Sequence, residues 1–186
     1  MKRLIIFVFM LVATHLFAQI NPNYISPVKV GNMNLQTGKV FYQNAFGGGA
    51  NFQILAEKFK SKEQVYSVFN LNSVDKGEIK GTITNFQLNI DQYGVKRKKL
   101  APFLVRPLNA TFNIETVDGK NKVTVRSIWF KNLQGENNLA HQSIEALVTS
   151  KNGTVFLGKK KILKSITVIE KNLDELFSTA IGTIGF

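Results

Sequence analysis

The chain contains no cysteine among its 186 residues. Disulfides and thiolate metal sites are therefore excluded, and so is a bacterial lipid anchor, which needs a cysteine directly after the leader. Histidine is almost as scarce. Of the two present, His15 falls in the leader described below, which leaves His141 for any imidazole chemistry. Acid is short as well: 12 Asp and Glu stand against 24 Lys and Arg, a formal charge of +12. Long apolar runs are missing too. The longest unbroken run of large apolar residues, Leu4 to Val12, has nine, well under the roughly 20 that a membrane-spanning helix needs.

What is present begins with that run. Met1, Lys2 and Arg3 lead into it, and Ala18 followed by Gln19 offers a small-residue cleavage point, the pattern of an export leader over residues 1–18. Leu16 stands where a small residue is preferred, three positions before the cut. Cleavage would leave 168 of the 186 residues, enough for one domain with a real core. The reading is a periplasmic or extracellular protein that is not a lipoprotein and has no spanning segment after cleavage. Losing Lys2 and Arg3 lowers the charge from +12 to +10. Outside the cytoplasm such a surface suits anionic glycans, lipid head groups or an acidic envelope protein, and nucleic acid is not an expected partner.

Residues 19–37, with Pro22, Pro27 and several Asn, show little periodicity and read as an extended lead-in, with the domain proper over 38–186. Lys39 to Asn44 is β-prone. After Gly47, Gly48 and Gly49, the apolar residues Phe52, Leu55, Ala56 and Phe59 recur at one helical face, predicting a short helix from Asn51 to Lys60 with Asn51 as cap. Gln64 to Asn70 reads as a strand, and a turn at Asp75, Lys76 and Gly77 leads into a longer one from Glu78 to Ile90. Ile79 and Ile83 have one parity and Phe86, Leu88 and Ile90 the other, which predicts a bulge near Asn85.

Asp118 and Gly119 suit a type I′ turn and predict a hairpin from Leu108 to Phe130. Its register pairs Ile114 with Val123, Phe112 with Val125, Ala110 with Ser127 and Leu108 with Trp129 on an apolar face. Glu115 with Lys122, Asn113 with Thr124 and Thr111 with Arg126 pair on a polar one. This parity assigns Trp129 to the core or the sheet end. Asn152 and Gly153 mark a further turn, and Leu139 to Leu147 fits helix or strand. Ile162, Ile166, Ile169, Leu173, Leu176, Ala180 and Ile184 form one stripe, satisfied by one long helix or by two pieces joined near Asn172. Three lysines oppose the positive end of a helix dipole, so the helix is expected to start after Lys161.

The chain resembles exported Bacteroidetes-type domains of unknown function with a TATA-binding-protein-like fold. The resemblance rests on Thr37-Gly38-Lys39-Val40-Phe41-Tyr42, on Phe59-Lys60-Ser61, on Gly77-Glu78-Ile79-Lys80-Gly81-Thr82, and on Phe112 through Lys120 with Val123-Thr124-Val125, in that order. It implies an α+β fold: a curved, mostly antiparallel sheet with a short N-terminal and a long C-terminal helix packed on one face. The chain departs from the family in its shortened first helix, which lacks a Trp. The resemblance carries over no active-site residue, and a fold name does not import DNA binding.

No cofactor or metal motif is recognised. His141 with Ser143 and Glu145 is a weak local cluster that reads more simply as ordinary polar side chains, and the three glycines lack the Gly-Lys-Ser/Thr of a phosphate loop. Basic residues do cluster, at Lys96, Arg97, Lys98 and Lys99 with Arg106, and at Lys159, Lys160 and Lys161 with Lys164. Brought to one edge, these two groups would form an anion-binding patch. The functional expectation is a non-enzymatic envelope domain binding a protein or ligand, with a basic module for anionic glycans or lipids as the alternative and a hydrolase without a recognisable motif as the third reading.

Overall fold

Local turn chemistry sets the centre of the structure, a computed structural model that describes residues 28–47, 52–61, 67–75, 77–131, 141–150 and 152–182. Expectations for the leader, for residues 19–27 of the lead-in, for Gly48, Gly49 and Asn51, for residues 64–66 and for Ile184 lie outside the described residues. Asp118 and Gly119, with φ of +50° and +70°, make the left-handed pair of a type I′ turn between β6 (Leu108–Val117) and β7 (Lys120–Lys131). The predicted pairs hold from Glu115 and Lys122 down to Thr111 and Arg126. Beyond them the register shifts: Asn109 faces Trp129 and Leu108 faces Phe130, in place of the expected Leu108–Trp129 and Ala110–Ser127 pairs. Ser127, at φ +49°, is the extra residue. One inserted residue sends every later side chain to the opposite face. Ile128 and Phe130 are consequently the buried ones, and Trp129 is half-buried on the other side.

The sheet grows antiparallel on both flanks, in the order β1 (Lys29–Val30), β2 (Met33–Gln36), β3 (Lys39–Phe46), β7, β6, β5 (Glu78–Phe86) and β4 (Phe69–Asp75), with β8 (His141–Ser143) pairing β7. On one side, β5 (Glu78–Phe86) carries the predicted bulge, with a register shift after Ile83 and Asn85 at φ +53°. The side chain of buried Asn109 secures it, accepting the Asn85 N–H at 3.0 Å. β5 ends at Phe86 rather than Ile90; Leu88 and Ile90 are buried in the extended segment that follows. β4 (Phe69–Asp75) runs up to the turn instead of stopping at Asn70.

On the other side lie β3 (Lys39–Phe46), β2 (Met33–Gln36) and β1 (Lys29–Val30). The lead-in expectation fails here, because the paired sheet starts at Lys29 and Met33 and Leu35 are buried. A four-residue strand shows only two inward positions, too few for a period to be read.

Among the described residues three α-helices complete the fold: α1 (Phe52–Lys60), α2 (Ile144–Val148) and α3 (Lys160–Gly182). α1 buries Leu55, Ala56 and Phe59, as its spacing predicts. His141–Ser143 forms the short strand β8, after which Ser143 caps α2 by accepting the Ala146 N–H, so the ambiguous segment is strand and then helix. α3 runs unbroken through Asn172 and starts at Lys160, inside the lysine run. Phe59 of α1 and Phe177 of α3 both pack on Phe112 of β6, at 5.8 Å each between ring centroids, so both helices cover the same sheet face. Phe69 and Tyr42 extend that aromatic layer.

Candidate functional site

The segment Leu88–Arg106 lies along α3 as a strap, held by polar side chains of the helix. Asn172, buried, accepts the Asn89 N–H at 2.7 Å. Glu175 accepts from Gln92 and from the Tyr93 hydroxyl, each at 2.9 Å. Ser165, also buried, accepts the Ala101 N–H at 2.8 Å while donating to the Lys161 carbonyl. That last contact fixes the turn Arg97–Lys99 beside the first turns of α3, with Leu100 and Leu104 buried beneath it.

The two basic clusters therefore meet. Lys98 and Lys99 from the strap and Lys160, Lys161 and Lys164 from α3 line one cleft of about 310 Å³. No acidic side chain is among its described lining residues. The first turn of α3 carries no acidic residue either, so the positive end of the helix dipole adds to the same field.

The other predicted residues have different positions. Arg97 forms a two-pronged pair with Asp91, at 3.0 and 2.6 Å, which holds the Asp91 carboxyl below its usual range and closes a turn within the strap. Arg106 donates to Gln142 at 3.0 Å. Lys159 stands next to Lys160 in sequence and Lys96 two positions before Lys98, and neither lines the cleft. Ser165, which positions the whole arrangement, carries no sequence signal beyond a polar residue beside an apolar stripe.

A second polar centre lies between α3 and β3. Tyr42, Asn44 and Asn32 all donate to Oδ1 of Asp174, at 2.5, 2.7 and 3.4 Å. Burial, and then the Asp174 carboxylate, push the Tyr42 phenol far above its ordinary value. Glu170, one turn earlier, accepts the Asn32 N–H at 2.8 Å. These bonds dock the β1–β2 hairpin on the helix and serve structure.

The His141, Ser143 and Glu145 cluster is likewise engaged in structure. His141 packs on Trp129, Ser143 caps α2, and Glu145 accepts the Val40 N–H at 3.1 Å. Among the described residues no group of three His, Asp or Glu is placed to hold a metal, and no helix is long and apolar enough to cross a membrane.

Fold and site together define an α+β domain, an open antiparallel sheet with helices on one face and a basic cleft at the start of the long helix. Two crystal structures are similar to it. One is a DUF4468 family protein from Bacteroides ovatus, 16% identical, with 83% of this chain and 93% of that one aligned at a TM-score of 0.50. Another is a TBP-like protein from Parabacteroides distasonis, 17% identical over 78% of this chain and 95% of that one, at a TM-score of 0.49. No family model and no curated protein matches the chain. At these identities the first likeness shows a shared fold, the one that the sequence resemblance implied, and nothing about activity.

Proposed function

We propose that the protein is an exported, non-enzymatic domain that holds an anionic group of a cell-envelope glycan or lipid in its lysine cleft. The convergence of Lys98 and Lys99 with Lys160, Lys161 and Lys164 carries this reading. Lysines clustered at a helix N-terminus repel one another and the dipole. A phosphate, sulfate or uronate group in the cleft relieves both. The leader supplies the envelope location. The non-enzymatic part rests on the structural work already done by the groups best suited to catalysis, His141, Ser143 and Glu145.

The test is binding to phosphatidylglycerol vesicles and to a sulfated glycan across a salt series, with phosphatidylcholine vesicles as the neutral control. Affinity should fall about tenfold or more between low salt and a few hundred millimolar, as exposed charges are screened. The double variant Lys160→Glu, Lys164→Glu should lose it. A response flat in salt sinks the proposal, and the two anionic arms distinguish lipid from glycan.

A further inference from the structure

A different site opens where β7 changes partner. β3 pairs with β7 as far as Tyr42 opposite Val125, and β8 joins only from Ser143 opposite Trp129. Arg126, Ser127 and Ile128 have no ladder partner on that edge among the described residues. A pocket of about 380 Å³ occupies the gap, lined in part by Phe41, Arg126, Ser127, Trp129, Ser143 and Glu145. The bulge at Ser127 both interrupts the pairing and turns Trp129 out of the core into this notch.

Its side chains are held in place. The His141 imidazole packs against the indole of Trp129 with centroids 4.1 Å apart and planes tilted by 54°. The Arg126 guanidinium sits 5.1 Å from the centre of the Phe41 ring. Glu145 accepts the Val40 N–H, so its carboxylate is fixed on the notch wall where a strand from β7 would otherwise pair. The pocket thus offers one oriented aromatic surface, a planar donor, a planar acceptor and two hydroxyls.

That combination matches a ring with an apolar face and hydroxyls at its rim. The C–H face of a pyranose covers the indole, and adjacent hydroxyls engage the guanidinium and the carboxylate in pairs. Arg126 and Glu145 carry opposite charges, which suits neutral hydroxyls better than an ion. Ligand pockets run from roughly 300 to 1,000 Å³, so this one takes one or two rings and not a long polymer segment. We propose that the notch is a saccharide-binding site for a neutral pyranose of one or two rings, stacked on Trp129 and hydrogen-bonded by Arg126 and Glu145. It shares no lining residue with the lysine cleft and stands independently of the function proposed there.

Trp129 is the single tryptophan in the chain, so its fluorescence reports this site directly. The full protein is titrated with glucose, N-acetylglucosamine and their β-linked dimers, with trialanine as a strand-like peptide. At least one sugar should give a saturable spectral change in the millimolar range, unaltered by salt. Arg126→Ala should weaken it about tenfold, the loss of roughly one strong contact. Glu145→Gln should weaken it as well while keeping an oxygen for Val40, and the double lysine variant Lys160→Glu, Lys164→Glu should leave it intact. The proposal is overturned by no saturable response to any of the four sugars, by a response that survives both notch variants or collapses with salt, or by saturation with trialanine alone.

Discussion

Asp174 shows how much one side chain can organise. Its Oδ1 gathers donors from Tyr42, Asn44 and Asn32, two residues of β3 and one of the β1–β2 turn. Asp174→Ala strands the buried Tyr42 hydroxyl and should cost about 2 to 4 kcal/mol, measurable as a lower urea midpoint. The Tyr42 phenol is raised in the folded state, first by burial and then by this carboxylate. Its contribution is therefore intact below the unfolded value of about 10 and is lost as pH rises toward the folded one. Stability should decline above about pH 10, and a spectrophotometric titration of the folded protein should leave the Tyr42 phenol untitrated until unfolding. Tyr42→Phe should reduce that alkaline decline, leaving the part that comes from Tyr93, whose phenol is raised by burial and then by Glu175. No sequence pattern announces this hub, because Asp174 lies 130 to 142 residues from its three donors. Trp129 was misplaced for a related reason: its parity depends on the left-handed Ser127 two residues earlier, and serine gives no local sign of that conformation.

Elements were legible where their determinants are local. The Asp118-Gly119 turn set five pairs of the central hairpin, and opposed parities on β5 located the bulge at Asn85. Strand ends and the short strands β1 and β2 were not legible, since pairing decides them and too few residues show a period. Gly81 marks a tight point within β5. A Cβ there would lie 2.5 Å from the Asn70 carbonyl oxygen and 2.6 Å from the Phe112 ring. Gly81→Ala must push β4 or Phe112 aside and should lower stability by about 1 to 3 kcal/mol, read from thermal or urea unfolding. Ser165 sets the strap on α3. Ser165→Ala leaves the Ala101 N–H without its acceptor, costing about 1 to 3 kcal/mol. It should also weaken anion binding although no charge changes, a coupling that the vesicle assay detects.

For the whole molecule, composition already showed a basic excess, and both lysine groups could be named from the chain. Their meeting could not, because it depends on how the strap returns along the helix. If the cleft binds as proposed, tripolyphosphate should raise the melting temperature above that in sodium chloride of equal ionic strength. At ten times its dissociation constant the gain is about 1.4 kcal/mol, a shift of roughly 3 to 6 °C for a chain of this size. The contact behind this is the Ala101–Ser165 bond, which closes 64 residues of chain. Closing so long a loop is entropically slow, so the strap should dock late in folding. Until then the lysines of strap and helix are dilute with respect to each other, and a polyanion meets only separate, weakly attracting segments. On the proposed function, ligand capture would therefore wait for the completed fold: a chain still emerging or partly unfolded would pass its anions by, and the free energy of binding would accrue to the native state alone.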